Sequence, residues 1–504
     1  GRLVSRYLAA RTAGQLKIGV AGRSAARLQS LFAEVEQTAG VRWSPEVLEA
    51  PSDDDAALRS LASSTKVVLS TAGPYELCGT PLLRACIAEG TDYVDINGEV
   101  PWMRAVAAQY DEAAAAAGVH AVLSCGFSAP SDLGALFAVR ALQRKHDARL
   151  GVDGHSGAGC VAGSVSKSGG DDDGDGESSY GGGGDSRTFD VASVRALLQF
   201  NGRLSGGTMA TGLLLDHADA RAQAVRREAF ALGGAPLHVA GGLRPIDAEP
   251  THAELEQTMG VWAAPFWMSS ISSRVVRRSH ELFRQAAATD PAAVGYGADF
   301  GYREMAFARD ETVANAMARE ARAHRCGRGR PPHRGRGSVG GDPLHLRRKS
   351  SFCCIERTPS TEQRERLIAR GRLPAPGQGP SAETRARSFF RTFVLAQGSN
   401  GEYAFVTTSG GDPGYEETSK IVAEAALQLA SRRHELPLLR RRCGHGGVLT
   451  PAYALGMPFI RQLQARGIAF EQHDVDAARL PALVSALAAQ RPPHSRCAAL
   501  AVDV

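Results

Sequence analysis

Apolar and polar positions along residues 1–150 alternate between two periods. Short β-rich runs at Lys17–Ser24, Lys66–Tyr75, Asp92–Ile96 and His120–Phe127 are separated by stretches with helical spacing. Between Ala25 and Ala39, Leu28, Leu31, Phe32 and Val35 mark one face of a helix. The same reading predicts helices over Leu3–Ala10, Asp53–Ser64, Pro81–Glu89 and Trp102–Ala117, the last two stopped by Gly90 and Gly118. Ser131 or Asp132 is expected to cap a further helix that runs through Leu142. Strands alternating with helices predict βαβ units around a parallel sheet, an α/β fold.

The pattern lapses over residues 148–187. Gly, Asp and Ser dominate there, notably at Gly169-Gly170-Asp171-Asp172-Asp173 and Gly181–Gly184, and a disordered insert is expected. Globular patterning resumes over 188–318, where Trp262–Met268 is the most apolar patch. A second lapse spans 319–372, with Arg325–Arg336 rich in Arg, Gly and Pro. Such a composition buries too little apolar surface to offset the entropy of ordering, so this stretch is expected to lie outside the fold. An RNA-contacting segment is the alternative, weakened by the lack of stacking aromatics in Arg325–Arg336. Residues 373–470 read as globular again, with strands at Phe389–Val394 and Tyr403–Thr408 and a helix over Glu416–Ser431. Residues 471–504 read as a divergent, Ala-rich C-terminal tail.

Composition narrows the function classes. The 504 residues carry Lys+Arg 58 against Asp+Glu 53, a net charge of +5, too small for the whole chain to bind nucleic acid electrostatically. Hydrophobic residues at 43% exclude a wholly disordered chain. The nine cysteines form no Cys-x-x-Cys pair, which argues against zinc, and their odd number in a long chain argues against a disulfide scaffold. They read as reduced thiols of an intracellular, cytoplasmic protein. No run of 18 apolar residues marks a transmembrane helix. None of the 14 His falls in a His-Glu-x-x-His arrangement, and no Ser/His/Asp set or metal cluster stands out, so no metal is expected.

An ordered series of motifs carries a family resemblance. It includes Gly1-Arg2-Leu3-Val4, Ala21-Gly22-Arg23-Ser24, Thr71-Ala72-Gly73-Pro74-Tyr75, Gly90-Thr91-Asp92-Tyr93-Val94-Asp95 with Gly98-Glu99, and Cys125-Gly126-Phe127. It continues through Ser205–Thr208, Val275–Ser279, Tyr296-Gly297, Gly410–Glu416 and Gly446–Pro451. The chain resembles the saccharopine dehydrogenase-like oxidoreductases, a group that includes the trans-acting enoyl reductases of lipid biosynthesis. The resemblance covers roughly 1–147, 188–318 and 373–470. It implies an N-terminal Rossmann domain over 1–147 and a second α+β domain with an antiparallel sheet over 188–318 and 373–470. It departs from the family in three ways. Only Gly1 stands for the last glycine of a Gly-x-x-Gly-x-x-Gly turn, so a first strand and the earlier glycines are expected ahead of it. One residue fewer than usual separates Cys125-Gly126-Phe127 from Pro130-Ser131-Asp132-Leu133-Gly134. The two inserts are atypical.

Within this resemblance, residue chemistry suggests roles. Gly1 fits the place where backbone N–H groups approach a pyrophosphate at a helix N-terminus. Arg23 follows the second strand, where a Rossmann fold meets the adenosine ribose, and a guanidinium there suits the 2′-phosphate of NADP rather than NAD. Ser24 adds a hydroxyl. Thr71, Ala72, Gly73, Pro74 and Tyr75 end a strand at the ligand-binding edge and are expected to face the nicotinamide ribose. Asp95, Glu99, Asp412 and Tyr415 are candidate catalytic or substrate-side groups; capping is the competing role for Glu99 and Asp412. Cys125 reads as a buried structural thiol. The implied activity is NADP-dependent hydride transfer on a lipid-linked or enoyl substrate in lipid or glycolipid biosynthesis, with a homodimer as candidate assembly. The alternative is a non-catalytic protein of a membrane or lipid-droplet surface that keeps the fold, motivated by the Trp262–Met268 patch.

Overall fold

The computed structural model describes residues 1–13, 15–150, 189–202, 211, 218–234, 236, 238–239, 242–290, 294–326, 366, 379–431, 434, 436 and 446–492. The N-terminal region alternates helices and strands as the periodicity requires. Its order is α1 (Arg2–Thr12), β1 (Gly19–Gly22), α2 (Ala25–Ala39), β2 (Glu46–Glu49), α3 (Asp55–Ser63), β3 (Val67–Ser70), α4 (Tyr75–Ala88), β4 (Asp92–Asp95), α5 (Val100–Ala116), β5 (His120–Val122) and α6 (Ala129–Arg149). The strand β2, short and half exposed, has too little apolar alternation to be read from sequence.

The parallel strands fall into two groups. β1 pairs only with β2, while β3, β4 and β5 form a second parallel sheet. The outer edges of β1 and β3 have no strand partner among the described residues, and neither does the outer edge of β2. The helix α1 packs against α2.

The second region contributes β6 (Val191–Asn201), α7 (Ala220–Arg227), the hairpin strands β7 (His238–Val239) and β8 (Gly242–Leu243), β9 (Glu254–Glu256), β10 (Val261–Ala264), α8 (Ser269–Thr289), β11 (Gly301–Ala308) and α9 (Glu311–Cys326). It continues with α10 (Ala382–Arg387), β12 (Phe389–Gly398), β13 (Tyr403–Gly410), α11 (Glu416–Ser431), β14 (Gly447–Leu449), α12 (Pro451–Gln464), β15 (Ala469–His473) and α13 (Leu480–Ala489). Seven strands form one sheet in the order β15-β13-β12-β6-β11-β10-β9. The sheet is mixed rather than purely antiparallel, because β6 and β11 run parallel. The central helix α6 packs on β6, β12 and β13. Leu133, Leu136 and Leu142 are fully buried there, each contributing roughly 1.5–3 kcal/mol.

Several boundaries move. β14 pairs in parallel with β5, so 447–449 completes the N-terminal sheet instead of the second domain. The supposed tail is structured where β15 pairs with β13 and where Leu480 and Val484 of α13 bury against the large sheet. Ser131 and Asp132 lie inside the first turn of α6, which Ser128 precedes. The second insert cannot begin at 319, because α9 continues to Cys326 on a face that buries Ala314 and Ala318. Apart from Arg366, the rest of that insert, and nearly all of the first, lies outside the described residues. Deleting 327–365 is expected to leave the melting temperature and cofactor affinity unchanged, whereas a deletion from 319 removes helical turns and should lower the melting temperature. Equal losses from both deletions, in calorimetry, would contradict this.

The apolar patch is mostly core. Ala263, Ala264, Phe266 and Met268 are buried, and Trp267 alone among the large hydrophobics of that run is exposed, at 39%. Among the described residues, no helix is long and apolar enough to cross a membrane.

Candidate active site

Loops converge at the carboxyl edge of the parallel strands. Gly1 is the N-cap of α1 and offers no side chain to its first N–H groups. A Cβ built on Gly1 would lie 3.6 Å from Thr71 Oγ1, so this helix start abuts the loop leaving β3. Ser24 caps α2, its Oγ accepting the Arg27 N–H at 3.4 Å. Arg23 beside it is exposed. Burial and then the Glu99 carboxylate raise the pKa of the Cys78 thiol in α4, and the nearby Arg23 guanidinium opposes them. Arg23 therefore sits within electrostatic reach of the start of α4, so Gly1, Arg23, Ser24 and the Thr71–Pro74 turn share one edge. Ala72 and Gly73 are exposed there.

Tyr75 turns inward. Its ring is buried against Trp102, with centroids 5.6 Å apart, and its hydroxyl donates to the Ser70 carbonyl at 3.0 Å. Only its backbone belongs to the turn, and that is held from below. Glu99 Oε1 accepts the Tyr75 N–H at 2.9 Å and Oε2 accepts the Glu76 N–H at 2.8 Å. The Glu99 carboxylate thus caps α4 from another element and neutralises the positive end of its dipole. α4 consequently has little left for an anion. The start of α1 has no such cap.

Asp95 is also a positioning group. Its Oδ1 accepts N–H groups from Asn97 at 3.1 Å and Ser124 at 2.8 Å, tying the end of β4 to the end of β5. Burial pushes its pKa up to about 7, against hydrogen bonds from Ser124, Asn97 and Tyr93 that lower it. Ser124 takes a left-handed backbone, φ 62°, at this junction. Cys125 is fully buried and burial holds its thiol well above the ordinary value, as expected of an inert thiol.

Asp412 and Tyr415 belong to the turn before α11. Asp412 Oδ2 accepts the Tyr415 N–H at 2.8 Å and the Glu416 N–H at 3.2 Å, so the carboxylate caps that helix. Its Oδ1 is buried with no hydrogen-bond partner, and burial raises its pKa to about 6. Glu416 bonds Arg6 of α1 and Arg385, each at 2.7 Å, which brings the turn alongside α1.

The buried acid Glu304 was not singled out in sequence. It lies on β11, fully buried, on the same strand face as Tyr302 and Ala306. An acidic residue on the inward face of a strand was the available signal, obscured by the neighbouring Arg303.

Sequence comparison decides the relationship. Residues 1–122 match the saccharopine dehydrogenase NADP binding domain. Over 482 residues the chain is 30% identical to a Mycobacterium tuberculosis protein provisionally named a trans-acting enoyl reductase, with 94% of each chain covered. The chain belongs to this saccharopine dehydrogenase-like family. The trans-acting enoyl reductase of Mycobacterium ulcerans is 28% identical over 482 residues, covering 93% of this chain and 94% of its own. Apo saccharopine dehydrogenase (L-Glu forming) from Saccharomyces cerevisiae aligns over 94% of this chain and 98% of its own, at 14% identity and a TM-score of 0.44. The N-terminal region is an NADP-binding domain of an NAD(P)-dependent oxidoreductase.

Proposed function

We propose that the protein uses NADPH to reduce a conjugated C=C bond in a lipid-linked substrate. The observation that supports this most is the uncapped start of α1 beside the Thr71–Pro74 turn, with Arg23 on the same edge. Backbone N–H groups without partners at a helix start favour a pyrophosphate. When bound, the cofactor supplies the hydride. The chain's part is to bind and orient. Gly1 and the turn offer backbone, Arg23 and Ser24 meet the adenosine side, and Glu99 and Asp95 hold the turn rigid. Asp412 and Tyr415 line the approach from the second domain and are candidate substrate contacts.

The test is loss of NADPH absorbance with the crotonyl thioester of N-acetylcysteamine or with longer enoyl esters. Cofactor binding without any enoyl reduction would overturn the reading. Arg23→Ala should erase most of the preference for NADP over NAD while NAD binding changes little. A charge-assisted contact of roughly 1.5–3 kcal/mol corresponds to about a tenfold to hundredfold preference. Arg27, one helical turn on and exposed, is the control. Equal weakening of both cofactors in fluorescence titrations would make Arg23 structural.

A further inference from the structure

The helix α1 carries Arg2, Arg6 and Arg11 and no acidic residue of its own. Its acids come from other elements. Arg2 meets Glu34 of α2 at 3.4 Å in an exposed pair that contributes little. Arg6 and Arg11 both reach α11, and 410 residues separate Arg6 from Glu416. The helix α11 follows the second-domain strand β13, yet it packs on β3, β4 and α1 of the N-terminal region. Ile421, Val422 and Ala425 of α11 share a core with Val4 of α1 and Val94 of β4.

Glu424 joins the two helices, and its side chain is fully buried. Its Oε1 accepts the Tyr7 hydroxyl at 2.6 Å and the Arg11 Nε–H at 2.8 Å, and Arg466 lies 3.5 Å away. Gln462 of α12 donates to Oε2. Burial, and then the Glu424 carboxylate, raise the Tyr7 pKa well above its ordinary value, so the hydroxyl stays a donor. A buried carboxylate is tolerated when it is paired and hydrogen-bonded, and α1 supplies two of the groups that do this. Nearer the start of α1, Glu416 holds Arg6. The earlier residue of α1 thus meets the earlier acid of α11, and the later residues meet the later one. The two helices run in the same sense, with their starts at the same end. Packing alone lets a helix slide or turn by small amounts, whereas hydrogen bonds weaken steeply once distance or angle departs from the ideal. The Glu424 contacts therefore fix the register of α1 against the sheet.

We propose that Glu424 is a positioning residue for NADPH: by holding Tyr7 and Arg11 it sets where the start of α1 presents its backbone N–H groups to the pyrophosphate. This rests on placing the pyrophosphate at that helix start, and does not depend on which bond is reduced. It makes a helix of the second half of the chain part of the cofactor site.

Calorimetric titration of the full chain with two probes tests this. NADPH carries the pyrophosphate, whereas adenosine 2′-monophosphate carries only the adenosine and the 2′-phosphate. Glu424→Leu removes the acceptor that Tyr7 and Arg11 share. It should lower the ratio of NADPH to adenosine 2′-monophosphate affinity by roughly tenfold or more, the size of one charge-assisted hydrogen bond. The second probe should bind as it does to the wild type. Glu424→Gln keeps an acceptor in the same place and should recover most of the ratio. Circular dichroism shows whether Glu424→Leu folds; if it does not, Tyr7→Phe with Arg11→Met cuts the same bonds from the side of α1 and carries the comparison. A merely structural role lowers the melting temperature and leaves the ratio unchanged, and that result overturns the proposal. If the wild type binds NADPH no more tightly than adenosine 2′-monophosphate, the pyrophosphate does not lie at α1, and that reading falls together with this one. A wild-type preference for NADPH that survives Glu424→Leu leaves the pyrophosphate at α1 and removes only the role of Glu424.

Discussion

NADPH should bind by orders of magnitude more tightly to a version of the chain that carries a β-strand and glycine turn ahead of Gly1. The physical reason lies in the open edges of β1 and β3. β1 is paired on one side by β2, and β3 on one side by β4; neither has a second partner among the described residues. Unpaired edges present N–H and C=O groups with no ladder to join. Arg23 and the start of α4 are nonetheless in electrostatic reach of each other, and Gly1 lies beside the Thr71 loop. A strand pairing with both edges would fix the 2′-phosphate side against the nicotinamide side and complete the phosphate-binding turn. An extension of about ten residues supplies a strand of ordinary length plus its turn. Fluorescence titration of the two versions decides the matter. Equal affinity would mean that Gly1 does not sit at the phosphate.

Asp132→Ala should lower stability by about 3 kcal/mol, a large effect for one side chain. Asp132 is fully buried in α6 and joins three elements. Its Oδ1 accepts the Ser279 hydroxyl of α8 at 2.6 Å, and its Oδ2 accepts the Ala452 N–H of α12 at 2.8 Å. Ser279 also bonds Thr450, at 2.6 Å. Alanine strands these buried donors and opens a cavity. Asp132→Asn keeps an acceptor for Ala452 and a donor for Ser279, and should be tolerated.

Asparagine should also change the pH dependence. Burial raises the Asp132 pKa from 3.8 to about 7, against hydrogen bonds from Ser279 and Ala452. The folded protein then holds this proton more tightly than the unfolded chain. Its contribution is complete below the unfolded value and is lost as pH rises toward the folded one, on the order of 4 kcal/mol over the whole window. Asp95 titrates in the same range, so the comparison with the variant isolates Asp132. Thermal melts should show the wild type losing stability from about pH 4 to 7 more steeply than Asp132→Asn. Parallel curves would mean that Asp132 keeps an ordinary pKa in the fold.

Local patterning decided much of this protein. The spacing of Leu28, Leu31, Phe32 and Val35 suffices for α2, and Ser24 with Gly40 for its two ends, because capping and amphipathicity act within a few residues. The turn Thr71–Pro74 and the cap residue Asp412 were legible for the same reason. What each acidic group does was not. Asp132 reads as a cap for its own helix and instead caps α12, 320 residues away. Glu99 reads as a substrate group or a local cap and holds the start of α4 across 24 residues. Residues 447–449 follow the second domain in sequence and return to the first sheet, because β5 offers an open parallel edge that only the folded chain presents. That Glu304 and Thr392 share one sheet face depends on the register of three strands drawn from distant segments. Sequence carries the period of each strand, but the partner across the ladder is chosen by burial and hydrogen bonding over the whole sheet.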